Sequence, residues 1–177
     1  MWVMVEPRFE KPEMGMPIEG AKDTFFVPGR EVEGYPGIQP YTRAEFKKLG
    51  LGWDSFYEKA SAAAARMLLK VEPKWVKDEA SRVKYAAISS ERPIVAGLIT
   101  APNFVRRFEA TLGPRLVVFV PDRYHMFVFS DNPDVYTQYT MAMAARFEDS
   151  PFSASREVFL WQKGAKKPKV IGSVETK

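Results

Sequence analysis

Cysteine is absent from this chain of 177 residues, and histidine occurs once, at His125. The two scarcities exclude disulfides, thiolate zinc centres, iron–sulfur clusters, cysteine nucleophiles and any zinc site built from several histidines. Long apolar runs are missing as well. No stretch approaches the ~20 residues that span a bilayer, and the longest, Pro93 to Ala101 and Leu116 to Pro121, suit buried strands. Charge of one sign is scarce too: 26 basic against 22 acidic residues leave +4, a small bias that makes most charges ordinary solvated surface. The start, Met1 to Pro7, has no basic stretch before its short apolar run, so no signal peptide is expected and a cytoplasmic location is the default expectation. No membrane association and no cofactor are expected.

Proline and glycine are unevenly spread. Six prolines and five glycines fall in the first forty residues, where no helical period survives. Trp2, Phe9, Phe25, Phe26, Val27, Tyr35 and Ile38 persist among them, which a solvated tail would not need. The expectation is an irregular Pro/Gly-rich arm over residues 1–40, extended at most around Thr24 to Val27. That arm would lie on the chain itself or clasp a partner, ahead of a single compact domain over residues 41–177.

From Tyr41 the pattern is conventional. Thr42-Arg43-Ala44-Glu45 is a capping box and Gly50 a stop. Phe56, Ala60, Ala63, Ala64, Met67 and Leu68 then mark one face of a longer helix beginning at Asp54. Val83 to Ser89 and Ile94 to Thr100 read as strands, the second as a central one. Pro102 opens a helix with the stripe Phe104, Val105, Phe108 and Leu112. Leu116 to Val120 and His125 to Phe129 flank a hairpin turn. Asp131 or Asn132 caps a helix with Pro133 in its first turn, and Glu157 to Gln162 pairs with Lys169 to Val174 across a lysine-rich turn. The order ααββαββαββ predicts an α+β fold, with a largely antiparallel sheet of about six strands and helices packed mainly on one face. The two strand–strand–helix units align too poorly to read as a repeat.

Few residues carry chemistry. His125 lies near Asp122, which could orient its ring, but Ser130 stands five residues along the same strand, out of reach, and no Gly-x-Ser-x-Gly elbow exists. Asp131, Asn132 and Asp134 read as a helix cap rather than a cation loop, whose central glycine and terminal glutamate are missing. The glycine-punctuated segments 15–20 and 34–37 lack the lysine and the strand–helix setting of a phosphate loop. Interleaved basic and aromatic residues at Lys74, Trp75 and Lys77 are interrupted by acids, which speaks against a nucleic-acid surface. The candidate ligand or partner contacts are therefore Asp122, Arg123 and His125, with Arg123 either pairing locally or presented at the loop tip to an anionic partner. Lys163, Lys166, Lys167 and Lys169 are the candidate anion contacts, although lysines in a turn also serve solubility.

Three segments carry a family resemblance. They are the short helix ending at Leu49-Gly50-Leu51 before the alanine-rich helix, the run Val95 to Thr100 leading into Ala101-Pro102, and Val117-Val118-Phe119-Val120-Pro121-Asp122-Arg123 with the downstream Phe152 to Phe159. On these, Tyr41 to Gly164 resembles the YtpQ-type family of uncharacterised bacterial proteins. The sequence departs from that pattern at Tyr124, where the family tends to place an acid, and at Arg66-Met67-Leu68, where it tends to have Asn-Leu. The resemblance implies a bacterial α+β domain and supplies no catalytic residues. With no assembled catalytic set, the leading expectation is a non-enzymatic domain for protein interaction or self-association. The alternatives are a small-molecule-binding protein or enzyme with a site at residues 121–125, and nucleic-acid contact through the lysine-rich turn.

Overall fold

The computed structural model describes residues 1–35 and 37–175. The protein is α+β, built on a six-stranded antiparallel sheet. The first forty residues do not form an irregular arm. They make a second, four-stranded antiparallel sheet from β1 (Trp2–Pro7), β2 (Met16–Pro17), β3 (Thr24–Glu31) and β4 (Ile38–Pro40). The prolines that argued against strands stand where they cost no ladder bonds: Pro7, Pro17 and Pro40 at strand ends, and Pro28 between the stretches of β3 that pair with β2 and with β4. Every residue of β1 is buried, so the polar–apolar alternation that announces a strand is absent. Val3, Val5 and Phe26 enter the main core, while Trp2, Met4, Val27 and Ile38 pack under Ile94 on the opposite face. Most of this segment's apolar residues are buried within its own chain and need no partner to cover them, while Phe9 and Tyr35 stay exposed.

Helices α1 (Arg43–Lys48) and α2 (Trp53–Leu68) follow, and the capping box forms: Thr42 Oγ1 accepts from the Glu45 N–H while the Glu45 carboxylate accepts from the Thr42 N–H. Strands β5 (Lys74–Lys77) and β6 (Val83–Ser89) come next, then α3 (Phe104–Leu112), β7 (Arg115–Asp122), β8 (His125–Ser130), α4 (Pro133–Tyr136), α5 (Thr140–Asp149), β9 (Glu157–Gln162) and β10 (Lys169–Ser173). The large sheet runs β10-β9-β7-β8-β6-β5, all antiparallel. Asn132 is the cap of α4, its side chain accepting from the Asp134 N–H.

The run expected as a central strand at Ile94 to Thr100 is instead a buried 3₁₀ turn over Ala96–Thr100, and its place in the strand pair is taken by β5. An apolar run buried on every side looks the same in either conformation. Tertiary contacts decide: the Val3 carbonyl of β1 crosses so close to Gly97 that a Cβ there would lie 2.5 Å from it, and the Trp161 indole N–H donates to the Ile99 carbonyl at 2.6 Å. The turn is thereby wedged between the small sheet, α2 and α3.

One face of the large sheet shares a core with α2, α3 and the small sheet through Leu116, Val118, Val120, Met126 and Val128. The other face, through Val117, Phe119, Phe129, Val158 and Leu160, is covered by α4 and α5 with Val135, Tyr139, Met143 and Ala144. The sheet is thus enclosed on both sides. Leu116-Val117-Val118-Phe119-Val120 is continuously apolar because both of its faces are buried.

Candidate functional site

The hairpin between β7 and β8 is where the candidate residues gather. Asp122 ends β7, and its side chain is almost wholly buried. Its Oδ1 accepts from the Tyr124 N–H at 2.8 Å, closing the turn, and lies 2.8 Å from His125 Nδ1. The Arg146 guanidinium of α5 stands 3.6 Å from Oδ2. Asp122 and His125 are therefore brought together as the spacing implied. Among the described residues, Asp122 is the only hydrogen-bond partner of the ring. A general base needs a nucleophile at its other nitrogen, so the pair as it stands orients an imidazole and locks a turn.

Arg123 is not displayed at the loop tip. Its guanidinium turns inward to Glu6 of β1, 2.8 Å from Oε2, and so ties the hairpin to the small sheet. The Glu6 carboxyl is held above its ordinary range, because burial outweighs the stabilising charge and hydrogen bond of Arg123. Among the described residues Glu6 Oε1 and Arg123 Nε find no partner, so the pair satisfies itself only in part. The backbone of the turn is pinned from both sides: the Arg123 N–H donates to the Phe152 carbonyl, and the Arg123 carbonyl accepts from Val95. Sequence reasoning missed Glu6 and Arg146, which lie far away along the chain and carry no motif.

The lysine-rich turn behaves differently from a free basic loop. Lys163 Nζ lies 2.8 Å from Glu109 of α3. Lys167 Nζ lies 3.6 Å from Asp54 and sits over the Tyr57 ring of α2 at 4.4 Å. Two of the four lysines thus strap the turn to the helices beneath it, and Lys166 and Lys169 lie exposed beside them.

Three adjoining clefts run past the hairpin. The largest, about 720 Å³, lies between the hairpin and α5, with Tyr124, His125, Phe127, Arg146 and Phe152 in its walls. It shares Tyr124 and Phe152 with a cleft of about 170 Å³ over Arg123. That cleft in turn shares Tyr35, Gly37, Ile38 and Pro93 with one of about 250 Å³ beside Arg92. Phe152 and Tyr35 remain about half exposed, and Phe152 meets Tyr124 edge-on at 5.6 Å. Arg146 lies over the Phe127 ring at 5.7 Å. Among the described residues no cluster of acids and histidine is arranged to hold a metal ion, and no helix is long and apolar enough to cross a membrane. Compared with family models, with curated proteins and with solved structures, the chain matches none of them.

Proposed function

We propose that the protein is a non-enzymatic interaction domain that docks an extended segment of a partner protein along the clefts beside the 122–125 hairpin. The observation that carries the reading is the shape of this surface: three adjoining clefts sharing walls, punctuated by the half-exposed rings of Phe152 and Tyr35. A compact metabolite fills one concavity, whereas an extended chain places successive side chains in successive hollows. Aromatic side chains and arginine are enriched where proteins meet, and here Phe152, Tyr124, Tyr35 and Arg146 share one surface. Arg146 on Phe127 favours a partner segment with an apolar anchor followed by a carboxylate. The resemblance to the YtpQ-type family belongs to the same proposal, since its strongest segments, Val117 to Arg123 and Phe152 to Phe159, contribute Asp122, Arg123 and Phe152 to these clefts. An enzymatic reading would need a nucleophile facing His125.

Panning a random-peptide display library on the whole chain tests the proposal, with the enriched peptides titrated by fluorescence polarisation. We expect binding that Phe152→Ala and Arg146→Gln each weaken at least tenfold, with Phe152→Ala leaving the melting temperature in place and Arg146→Gln, which takes a cation from buried Asp122, still unfolding cooperatively well above the assay temperature. Failure to enrich any peptide, or wild-type binding by both variants, overturns the proposal. A concentration-dependent dimer abolished by Phe152→Ala replaces the partner with a second copy and overturns it as well.

A further inference from the structure

A separate cleft of about 550 Å³ opens on the other side of α5, where β1 leaves the small sheet. There the chain makes a 3₁₀ turn over Arg8–Glu10, closed by Lys11 in the left-handed region at φ 46°. The turn is fixed at its base by the Arg8 N–H, which donates to the Asp23 carbonyl at 2.7 Å. It holds Phe9 edge-on against Phe147 of α5 at 6.2 Å, yet leaves Phe9 60% exposed. Phe9 is therefore a wall of the cleft more than a filler of the core.

The charges around this wall are unequal. Arg8, Lys11 and Arg156 line the cleft against Asp23 and Glu148. Arg156 is loosely matched by Asp23 at 3.7 Å, while Arg8 and Lys11 form no ion pair among the described residues. The Arg8 guanidinium rests over the Phe25 ring at 5.4 Å, just outside the cleft, and leaves Lys11 and Arg156 as the cations nearest its interior. The Thr24 hydroxyl, on the buried side of the cleft, shares a 2.7 Å hydrogen bond with Ser155. The volume lies within the range of small-molecule sites.

We infer that this cleft binds a small organic anion, with an apolar or aromatic body against Phe9 and Phe147 and one carboxylate or phosphate among Arg8, Lys11 and Arg156. The site is distinct from the hairpin clefts and does not depend on the partner reading. Amide-detected NMR titration of the whole chain tests it with phenylacetate, phenyl phosphate and the uncharged benzyl alcohol. Saturable shifts at Arg8 to Lys11 and Thr24 are expected, with at least one anion binding fivefold or more tighter than benzyl alcohol. The tighter of the two anions identifies the charged group. Lys11→Gln, Arg156→Gln and Phe9→Ala should each weaken that anion at least fivefold while leaving the melting temperature in place. Absence of saturable shifts, equal binding of benzyl alcohol, shifts confined to other residues, or indifference to the three substitutions each overturns the inference.

Discussion

Arg123→Met is the sharpest test of how the two sheets are held together. It removes the cation from Oε2 of Glu6, a residue that exposes 4% of its surface and whose Oε1 has no partner among the described residues. Breaking a buried pair from one side costs about 3–5 kcal/mol when the remaining charge is stranded. Two features reduce that figure here. Arg123 is itself a quarter exposed, and the carboxyl, already raised by burial, can take up a proton. We therefore expect a loss of about 3 kcal/mol near pH 8, roughly 6–12 °C of melting temperature for a chain of this size. Glu6→Gln should cost about 1 kcal/mol or less, because the amide oxygen still accepts from Arg123 and the guanidinium reaches water.

The pH dependence follows from the sign of the shift. A carboxyl raised in the folded state binds its proton at a pH where the unfolded chain has lost it. Stability then falls as pH rises from the ordinary glutamate value to the raised one. The wild type should show a shallow fall in that window, Arg123→Met a deeper one, and Glu6→Gln none from this group. Urea denaturation followed by tryptophan fluorescence, at about pH 5 and pH 8, measures all three and the double variant. The double variant should be more stable than Arg123→Met alone at pH 8. Equal losses for the two single variants, with Arg123→Met flat in pH, would show that no buried carboxylate is being held by this arginine.

Two further substitutions probe the core. Gly97→Ala places a Cβ 2.5 Å from the Val3 carbonyl, a backbone atom that cannot swing aside, so the small sheet or the 3₁₀ turn must shift. A loss of about 1–3 kcal/mol in chemical denaturation is expected, and an unchanged midpoint would place β1 elsewhere. Tyr57 is buried, and among the described residues its hydroxyl has only the Ser61 hydroxyl beside it, beyond full hydrogen-bond geometry, so Tyr57→Phe should change stability by no more than about 1 kcal/mol in either direction. A loss above that amount would reveal an acceptor for the hydroxyl.

Local devices were readable: the Thr42–Glu45 capping box, the Asn132-Pro133 helix start and the strand at Val83 to Ser89 form where their residue types place them, and the hairpin forms with a tighter turn, Arg123-Tyr124, because β7 runs on through Pro121 and Asp122. Each depends on atoms within a few residues of one another. Of the candidate site, the proximity of Asp122 and His125 was readable for the same reason, at a separation of three residues. Glu6 and Arg146 could not be read, since each meets the hairpin only through the fold.

By itself, then, the sequence determined the class of fold, the periodic faces of α2 and α3, the hairpin and the exclusion of cysteine chemistry. Tertiary structure alone decided that the proline-rich first forty residues are strands, that Ile94 to Thr100 carries a 3₁₀ turn, and that Arg123 faces inward. Arg123 turns inward because only the fold brings the Glu6 carboxylate to it, and the other two share one physical cause. Where a segment is buried on all sides, its residues are apolar whatever their conformation, and the choice between strand, turn and arm passes to the backbone and charges that pack against it.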